Sequence, residues 1–297
     1  MLAKEIYGTG VALVTPFHPS GQIDFTSLGK LVNHVIDGGV DYIVALGTTA
    51  ETATLNADEK AAVLQSIIDE TNKRVPIVVG MGGNNTRTLV NEIHDFDFEG
   101  VDAILSVAPY YNKPNQRGIY EHFKQIALVT DMPIIIYNVP GRTSSNISAD
   151  TCIRLANDFE NIIAVKEASG DLMQVMEIIK NKPADFRLFS GDDALTLPML
   201  ALGADGVISV IANAYPKSMS EMVKVMLSDT DRYMALAHHY QMLDVINALF
   251  ADGNPAGVKA LLDHLGIVKN NLRLPMMKVN RSLNVELKKY AQYSGLE

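Results

Sequence analysis

The chain has 297 residues, of which 47% are hydrophobic, and its formal net charge at pH 7 is −9. This acidic balance argues against nucleic acid or an anionic membrane as the main partner, because both attract basic surfaces. No segment approaches the roughly 18 consecutive apolar residues of a membrane-spanning helix, and no signal-peptide pattern is found. The single cysteine, Cys152, excludes an intrachain disulfide and fits a reducing, cytoplasmic location.

Short, continuous runs of apolar and β-branched residues recur along the chain and predict parallel strands that are buried on both faces. The predicted strands span residues 10–17, 42–46, 76–80, 103–107, 133–137, 162–165, 187–189 and 206–210. Helical patterns lie between them, including a helix that begins with the capping-box pair Asn56 and Glu59. After about residue 230 the strand signals stop, and helices are predicted over 233–251, 255–265 and 283–290.

Three Gly-X-Asp segments, at residues 39–41, 100–102 and 203–205, each precede an apolar run, as expected where a helix ends and a strand begins. Eight strand-helix units in series are typical of a closed (β/α)8 TIM barrel. The open-sheet alternative normally carries a glycine-rich phosphate turn after its first strand, and this chain has none there. We therefore predict an α/β barrel over residues 1–230 and a C-terminal helical extension over residues 231–297.

Lys166 directly follows the apolar run of the sixth predicted strand, and catalytic groups in such barrels lie at the C-terminal ends of the strands. A lysine that is neutral at pH 7 needs a pKa about three pH units below normal, or ~4 kcal/mol, which desolvation can supply. A neutral amine can form an imine with a ketone. The structural alternative is a lysine that reaches solvent or pairs with Glu167, and Lys166 alone does not decide between the two.

Polar residues follow two other predicted strands. Tyr137 ends the fifth strand and suits proton transfer, and Arg142 on the following Pro-Gly turn suits a substrate carboxylate. Thr48 and Thr49, after the second strand, can bind a carboxylate and relay a proton. Taken singly, each fits an ordinary structural role at least as well. Their meeting at one end of a single barrel, with a lysine, predicts an aldolase-type enzyme.

Two acidic residues and two histidines receive no chemical role. Asp192 and Asp193 follow the seventh strand and are predicted to cap the next helix, because no further metal-ligating residue accompanies them. His238 and His239 are adjacent in a helical segment and cannot share a face. No metal and no cofactor is predicted.

Several segments together resemble the dihydrodipicolinate synthase (4-hydroxy-tetrahydrodipicolinate synthase) family of pyruvate-dependent class I aldolases. The segments are GTTAE at 47–51, YYN at 110–112, YNVPGRT at 137–143, VKE at 165–167 and SGDD at 190–193. The resemblance runs in order through nearly the whole chain and includes Asn254, Pro255 and Lys259 in the extension. The Pro-Gly-Arg-Thr turn separates the chain from sialic acid lyases, which usually differ there.

The resemblance implies catalytic roles for four residues. Lys166 forms the Schiff base with pyruvate, and Tyr137 transfers protons. Thr48 links Tyr137 to Tyr111, which in the family comes from a neighbouring subunit. Family members are commonly tetramers made of two tight dimers, so a homo-oligomer of this kind is expected.

The resemblance also implies a substrate site. Thr49 helps to bind the pyruvate carboxylate, and Arg142 holds the carboxylate of L-aspartate 4-semialdehyde. Gly191 and Ile208 line the pocket. The pyruvate enamine attacks the aldehyde, and the substrate amine then closes the ring and releases the lysine. The product enters diaminopimelate and lysine synthesis.

Two rival functions are open at this stage. A sialic acid lyase or keto-deoxy-sugar aldolase shares the imine lysine, and Arg142 favours a short carboxylated aldehyde over those substrates. A catalytically inactive barrel that binds small molecules predicts the loss of Lys166 or Tyr137, yet both are present.

The chain departs from the family pattern at three positions. Ala50 replaces the usual glycine after the two threonines, a change that we expect the turn to tolerate. Lysine-sensitive relatives tend to carry His and Glu at the positions of Ala57 and Thr88, whereas Asn84 and Tyr110 are retained. A lysine bound at this feedback site would lose partners for its charged groups.

We therefore predict weak or absent inhibition by lysine. The measurement is a steady-state synthase assay over a lysine titration. Half-inhibition at sub-millimolar lysine would contradict the prediction.

Overall fold

Eight parallel strands close into a barrel in their chain order, and the last strand is hydrogen-bonded to the first. The computed structural model describes residues 6–292. The strands are β1 (Gly8–Ala12), β2 (Tyr42–Ala45), β3 (Ile77–Gly80), β4 (Ala103–Val107), β5 (Ile134–Asn138), β6 (Ile162–Glu167), β7 (Arg187–Ser190) and β8 (Gly206–Ser209). The predicted barrel fold is confirmed.

Helices follow the strands around the outside of the barrel and then continue into the C-terminal extension. They are α1 (Phe25–Asp37), α2 (Ala57–Thr71), α3 (Thr86–Asp95), α4 (Gln116–Val129), α5 (Pro140–Thr143), α6 (Ala149–Asp158), α7 (Leu172–Asn181), α8 (Thr196–Ala201), α9 (Pro216–Ser228), α10 (Arg232–Phe250), α11 (Ala256–His264) and α12 (Arg281–Ala291). The capping box predicted from Asn56 and Glu59 is formed at the start of α2.

The helices predicted after residue 230 match α10, α11 and α12 to within two residues. Residues 1–5 and 293–297, at the outer ends of the two predicted regions, lie outside the described residues. Among residues 6–292, no helix combines the length and the apolar character needed to cross a membrane.

The first strand differs from its prediction over residues 10–17. It begins earlier, because Gly8 pairs with Gly206 of β8, and it ends at Ala12. Pro16 has no backbone N–H and cannot extend a ladder of hydrogen bonds. The apolar run therefore continues past the strand as a buried connection rather than as sheet.

Alternate residues along each strand divide the core into two parts. One set of side chains fills the barrel interior, where the Tyr42 and Phe189 rings lie 5.9 Å apart between centroids. The other set packs outward against the helices and forms the larger hydrophobic cluster. Because side chains on a strand alternate between faces, Ala164 and Lys166 of β6 both point inward.

The three Gly-X-Asp segments tie neighbouring strands together at the N-terminal end of the barrel. Their glycines have φ angles of 87°, 78° and 107°, which favour residues without a Cβ atom. Their aspartates accept a backbone N–H from the preceding strand, at 2.7 Å from Thr9, 2.8 Å from Ile77 and 2.8 Å from Leu188. The repeat thus sets strand register, in addition to ending helices as predicted.

Candidate active site

Lys166 and Tyr137 lie side by side at the C-terminal end of the barrel. They are register partners on β6 and β5, and the Lys166 Nζ atom is 4.4 Å from the centroid of the Tyr137 ring. Only 6% of Lys166 and 7% of Tyr137 is exposed. The pair therefore places an amine beside a phenol in a largely dehydrated site.

Burial lowers the pKa of Lys166 from 10.5 to about 8. The negative charge of Asp193 opposes this decrease, and the positive charge of Arg142 adds to it. With a pKa of about 8, about one amine in ten is neutral at pH 7. The direction agrees with the predicted desolvation, although the decrease falls short of the three pH units that majority deprotonation at neutral pH requires.

Glu167 does not pair with Lys166, because adjacent residues of a strand face opposite sides. Its carboxylate accepts hydrogen bonds from Asn138 Nδ2 at 2.9 Å, Gln174 Nε2 at 3.0 Å and the Ser169 backbone N–H at 2.7 Å. Within residues 6–292, no carboxylate lies within 4 Å of the Lys166 amine. The alternative of a Lys166–Glu167 ion pair is therefore wrong.

The phenol of Tyr137 remains protonated over the physiological pH range. Burial raises its pKa to about 12, and the nearby charge of Arg142 opposes that increase. A phenol with this pKa can donate its proton at neutral pH and recover it afterwards.

Asp193 has a different position from the one predicted for it. It is buried, and its Oδ2 atom accepts backbone N–H groups from Val210 at 3.0 Å and Ile211 at 2.8 Å. It therefore joins the end of β7 to the segment after β8 and does not cap α8. Asp192 does bond the turn that leads into α8, where its Oδ1 accepts the Ala194 N–H at 2.9 Å. The cap prediction is wrong for both aspartates, because Leu195 is at the N-cap position of α8 and no side chain bonds its first turn. The Asp193 carboxylate instead accepts the N–H groups of the segment after β8.

Arg142 lies on α5, a single helical turn that begins with Pro140 after the end of β5. The Thr143 hydroxyl holds this turn through hydrogen bonds to the carbonyls of Val139 at 3.1 Å and Ser145 at 2.8 Å. The Arg142 side chain itself is exposed. An exposed guanidinium whose charge affects both buried site residues is placed to meet an anionic substrate at the mouth.

Thr48 and Thr49 form a tight 3-10 turn after β2. Thr49 is buried, and its Oγ1 atom accepts a hydrogen bond of 2.8 Å from Asn254 Nδ2. Thr48 is exposed, and among the described residues its hydroxyl has no hydrogen bond to Tyr137 or Tyr111. Thr49 is thus held within the site by the extension, whereas Thr48 lies on the exposed side of the turn.

Tyr111 lies on the surface of the single chain, away from Lys166. It follows β4 with a positive φ of 74°, and 88% of its surface is exposed. The structure therefore brings Tyr137, Lys166 and Thr49 to one end of the barrel but leaves Tyr111 outside the pocket of its own chain.

Gly191 borders the Lys166 side chain, and Ile208 lies in the barrel interior. A Cβ atom at Gly191 would lie 3.1 Å from Lys166 Cε and 2.7 Å from Ala168 Cβ, so any larger residue would displace the lysine. Ile208 is buried in the barrel interior with Tyr137. Both residues are therefore in position to shape a pocket around the amine.

The sequence reasoning missed an ionic link between this site and the extension. Glu51 follows the threonine turn, and one of its carboxylate oxygens accepts a hydrogen bond of 2.5 Å from Lys259 Nζ on α11. The other oxygen accepts the Arg273 backbone N–H at 3.0 Å. Lys259 is fully buried, and burial lowers its pKa to about 8 against the opposing effect of Glu51. A lysine inside the apolar segment AGVKALL is the signal that points to a buried partner.

Ala50 fits the turn without strain. Its φ is not positive, so the conformation does not favour glycine, and its carbonyl accepts a hydrogen bond of 2.8 Å from the Thr15 hydroxyl. No group of three or more His, Cys, Asp and Glu side chains able to hold a metal ion is found among residues 6–292.

Comparison with known proteins identifies the family. The model of the dihydrodipicolinate synthetase family matches residues 5–293. The chain belongs to this family. The 4-hydroxy-tetrahydrodipicolinate synthase of Flavobacterium psychrophilum is 50% identical over 285 residues, which cover 96% of this chain and 97% of that one. The synthase of Parabacteroides distasonis is 51% identical over 92% of both chains.

Solved structures of the family agree with the fold. The dihydrodipicolinate synthase of Thermotoga maritima superposes with a TM-score of 0.95 at 35% identity, over 99% of this chain and 100% of that one. The enzyme from Aquifex aeolicus gives a TM-score of 0.93 at 40% identity, over 98% and 99% of the two chains. The resemblance and the enzyme class predicted from the sequence are therefore confirmed.

The buried Lys259–Glu51 pair makes a prediction about stability. Lys259→Met should lower the free energy of unfolding by about 3–5 kcal/mol, because it leaves Glu51 as a buried charge without its cation. Chemical denaturation monitored by circular dichroism measures the change. The matched control is Lys269→Met, which breaks a pair whose lysine is 75% exposed and should cost less than about 1 kcal/mol. Equal losses for the two variants would contradict the prediction.

Proposed function

We propose that this chain condenses pyruvate with L-aspartate 4-semialdehyde to give 4-hydroxy-tetrahydrodipicolinate, a step of diaminopimelate and lysine biosynthesis. The observation that carries the proposal is the Lys166 amine, which is buried beside the Tyr137 phenol and has no ion-pair partner within the described residues. The names of the relatives that are about 50% identical support this substrate pair over sialic acid or keto-deoxy sugars.

The first half of the reaction uses the amine and the phenol. The neutral Lys166 amine attacks the keto carbon of pyruvate, and a proton passes from nitrogen to the new oxygen to give a carbinolamine. Tyr137 donates its proton to the departing hydroxyl, which leaves as water, and an imine forms. The Tyr137 phenolate left by this step takes a proton from the pyruvate methyl group, which restores the phenol and gives the enamine, the carbon nucleophile.

The second half joins the two substrates. The enamine carbon bonds to the aldehyde carbon, and the aldehyde oxygen takes up a proton through Tyr137. The amine of the semialdehyde then attacks the imine carbon, the ring closes, and the Lys166–carbon bond breaks to return the free enzyme. The lysine is thus regenerated without any redox change.

The remaining site residues bind the substrates. Thr49 offers its hydroxyl to the pyruvate carboxylate, and Arg142 at the mouth binds the carboxylate of the semialdehyde. Gly191 leaves the space in which the lysine side chain lies, and Ile208 closes the apolar wall of the pocket.

The exposed position of Tyr111 supports an assembled enzyme. We propose that Tyr111 of the partner subunit approaches Thr48 and that the two extend the proton path from Tyr137. A homotetramer built from two dimers supplies such a contact. We further propose a cytoplasmic location, and a division of the chain into a catalytic barrel over residues 1–230 and a helical extension over residues 231–297.

Borohydride trapping tests the Schiff base. Wild-type protein incubated with pyruvate and borohydride should gain the mass of one reduced adduct, mapped to Lys166 by peptide mass spectrometry. Because the neutral amine is the nucleophile, the rate of adduct formation should rise about tenfold per pH unit below pH ~8 and level off above it. Lys166→Ala should give no adduct, and Lys269→Ala should react like wild type. An adduct that survives Lys166→Ala would reject the assignment.

Arg142→Ala tests the second substrate. In a coupled synthase assay, kcat/KM for the semialdehyde should fall about 10- to 150-fold, since hydrogen bonds to charged groups contribute about 1.5–3 kcal/mol. The KM for pyruvate should change much less. Loss of the guanidinium charge should also move the midpoint of the trapping profile to higher pH, because Arg142 lowers the pKa of Lys166. Arg154→Ala on α6 removes another exposed arginine and is the control.

If Arg142→Ala raises the KM for pyruvate by a larger factor than it lowers kcat/KM for the semialdehyde, Arg142 does not bind the semialdehyde carboxylate, and the role proposed for it is wrong.

A further inference from the structure

We propose that Asn254 is a positioning residue that directs the Thr49 hydroxyl toward the carboxylate of the 2-oxo acid and thereby sets the affinity for pyruvate. The inference rests on the proposed function, because it concerns how the same site recognises its first substrate. It adds a residue of the C-terminal extension to the machinery of the barrel.

Asn254 reaches the site from the segment between α10 and α11. It directly precedes Pro255, the residue that caps α11, and only 7% of its surface is exposed. Its Nδ2 atom donates to Thr49 Oγ1 at 2.8 Å across a sequence separation of 205 residues. Both side chains are buried, so water does not compete for this contact.

The direction of this hydrogen bond fixes what the hydroxyl can do. A threonine hydroxyl has one proton and two lone pairs. Asn254 occupies one lone pair, and among the described residues the Thr49 hydroxyl donates its own proton to no group. That proton is therefore available to an acceptor in the site, and a carboxylate is the strongest acceptor that a substrate can bring. Donation by Asn254 also polarises the Thr49 O–H bond and makes it a better donor.

A second observation argues against a purely structural role for the amide. The Oδ1 atom of Asn254 is buried and has no hydrogen-bond partner among the described residues. An unpaired buried acceptor costs stability, so a role in packing alone favours an apolar side chain at this position. The presence of an amide at this position is explained if its N–H group orients the Thr49 hydroxyl.

The threonine turn is held in place by contacts that do not involve Asn254. Lys259 bonds Glu51, the Thr15 hydroxyl bonds the Ala50 carbonyl at 2.8 Å, and the Thr52 hydroxyl bonds the Gly47 carbonyl at 2.9 Å. A substitution at Asn254 should therefore leave the turn intact and change only the orientation of the hydroxyl.

The test is a set of pyruvate titrations with borohydride trapping, together with steady-state kinetics, on the full-length protein. Asn254→Ala should raise the KM for pyruvate about tenfold, the effect of one hydrogen bond to a charged group, with kcat changed less than about threefold. Asn254→Asp has the same shape but accepts the Thr49 proton and places a negative charge near the substrate carboxylate. Its loss of pyruvate affinity should therefore exceed that of Asn254→Ala.

A double-mutant cycle separates positioning from structure. In Thr49→Val the hydroxyl is absent, so adding Asn254→Ala should cause no further increase in the KM for pyruvate. If the two effects instead multiply, Asn254 acts on something other than Thr49 and the inference is wrong. An unchanged KM in Asn254→Ala, or weaker binding by Asn254→Ala than by Asn254→Asp, would also overturn it.

Two controls keep the outcomes distinct. Thermal unfolding of each variant shows whether it is folded, and the isosteric Asn254→Asp provides the comparison with wild type if Asn254→Ala does not fold. A wild-type protein that forms no pyruvate adduct at Lys166 refutes the proposed function itself. Normal trapping by wild type with unaltered affinity in the Asn254 variants refutes only the role of Asn254.

Discussion

The desolvation of one amine is the constraint on which the site depends. A lysine in water is almost fully charged at neutral pH and cannot attack a ketone. Closure of the barrel puts Lys166 between neighbouring strands, next to an aromatic ring and against a glycine, and leaves only 6% of the residue exposed. A direct carboxylate partner would keep the amine charged, and the described residues place none within 4 Å of it. Asp193 acts on the amine without forming an ion pair, so its charge moderates the decrease in pKa.

Because side chains alternate along β6, two adjacent residues face different surroundings, the candidate site on one side and structural hydrogen bonds on the other. Lys166 points into the barrel, and Glu167 points outward to amide donors. Asn138 makes the matching outward contact on β5, where its Oδ1 accepts the Ile147 backbone N–H at 2.8 Å. These outward bonds hold the segment that carries Arg142. A shift of β6 by one residue would turn the carboxylate into the barrel and the amine outward toward the helices, so the register of the barrel determines which group lies in the site.

Strand order and local patterns were sufficient to predict the barrel and the meeting of Lys166 with Tyr137. Consecutive parallel strands end at the same side, so residues at the ends of β5 and β6 must be neighbours. The same reasoning could not predict the contact of Asn254 with Thr49, because hydrophobic periodicity does not specify which distant polar groups pair. It also assigned Asp193 to a local cap, although its partners lie on the segment after β8. Local propensity favours the nearest backbone N–H groups, and tertiary packing overrides that preference here.

The C-terminal extension contacts the turn that carries Thr49, even though it contributes no strand to the barrel. It carries Asn254 to the Thr49 hydroxyl and Lys259 to the Glu51 carboxylate. Close packing of α11 against α10 fixes the positions of these two side chains. A Cβ atom at Gly257 of α11 would lie only 2.1 Å from the carbonyl oxygen of Leu249 on α10. In the reaction proposed above, the barrel would supply the nucleophile, and the extension would orient the hydroxyl that binds the pyruvate carboxylate. Because both contacts end on one short turn after β2, the proposed role of Thr49 links the packing of the extension to the affinity for the first substrate.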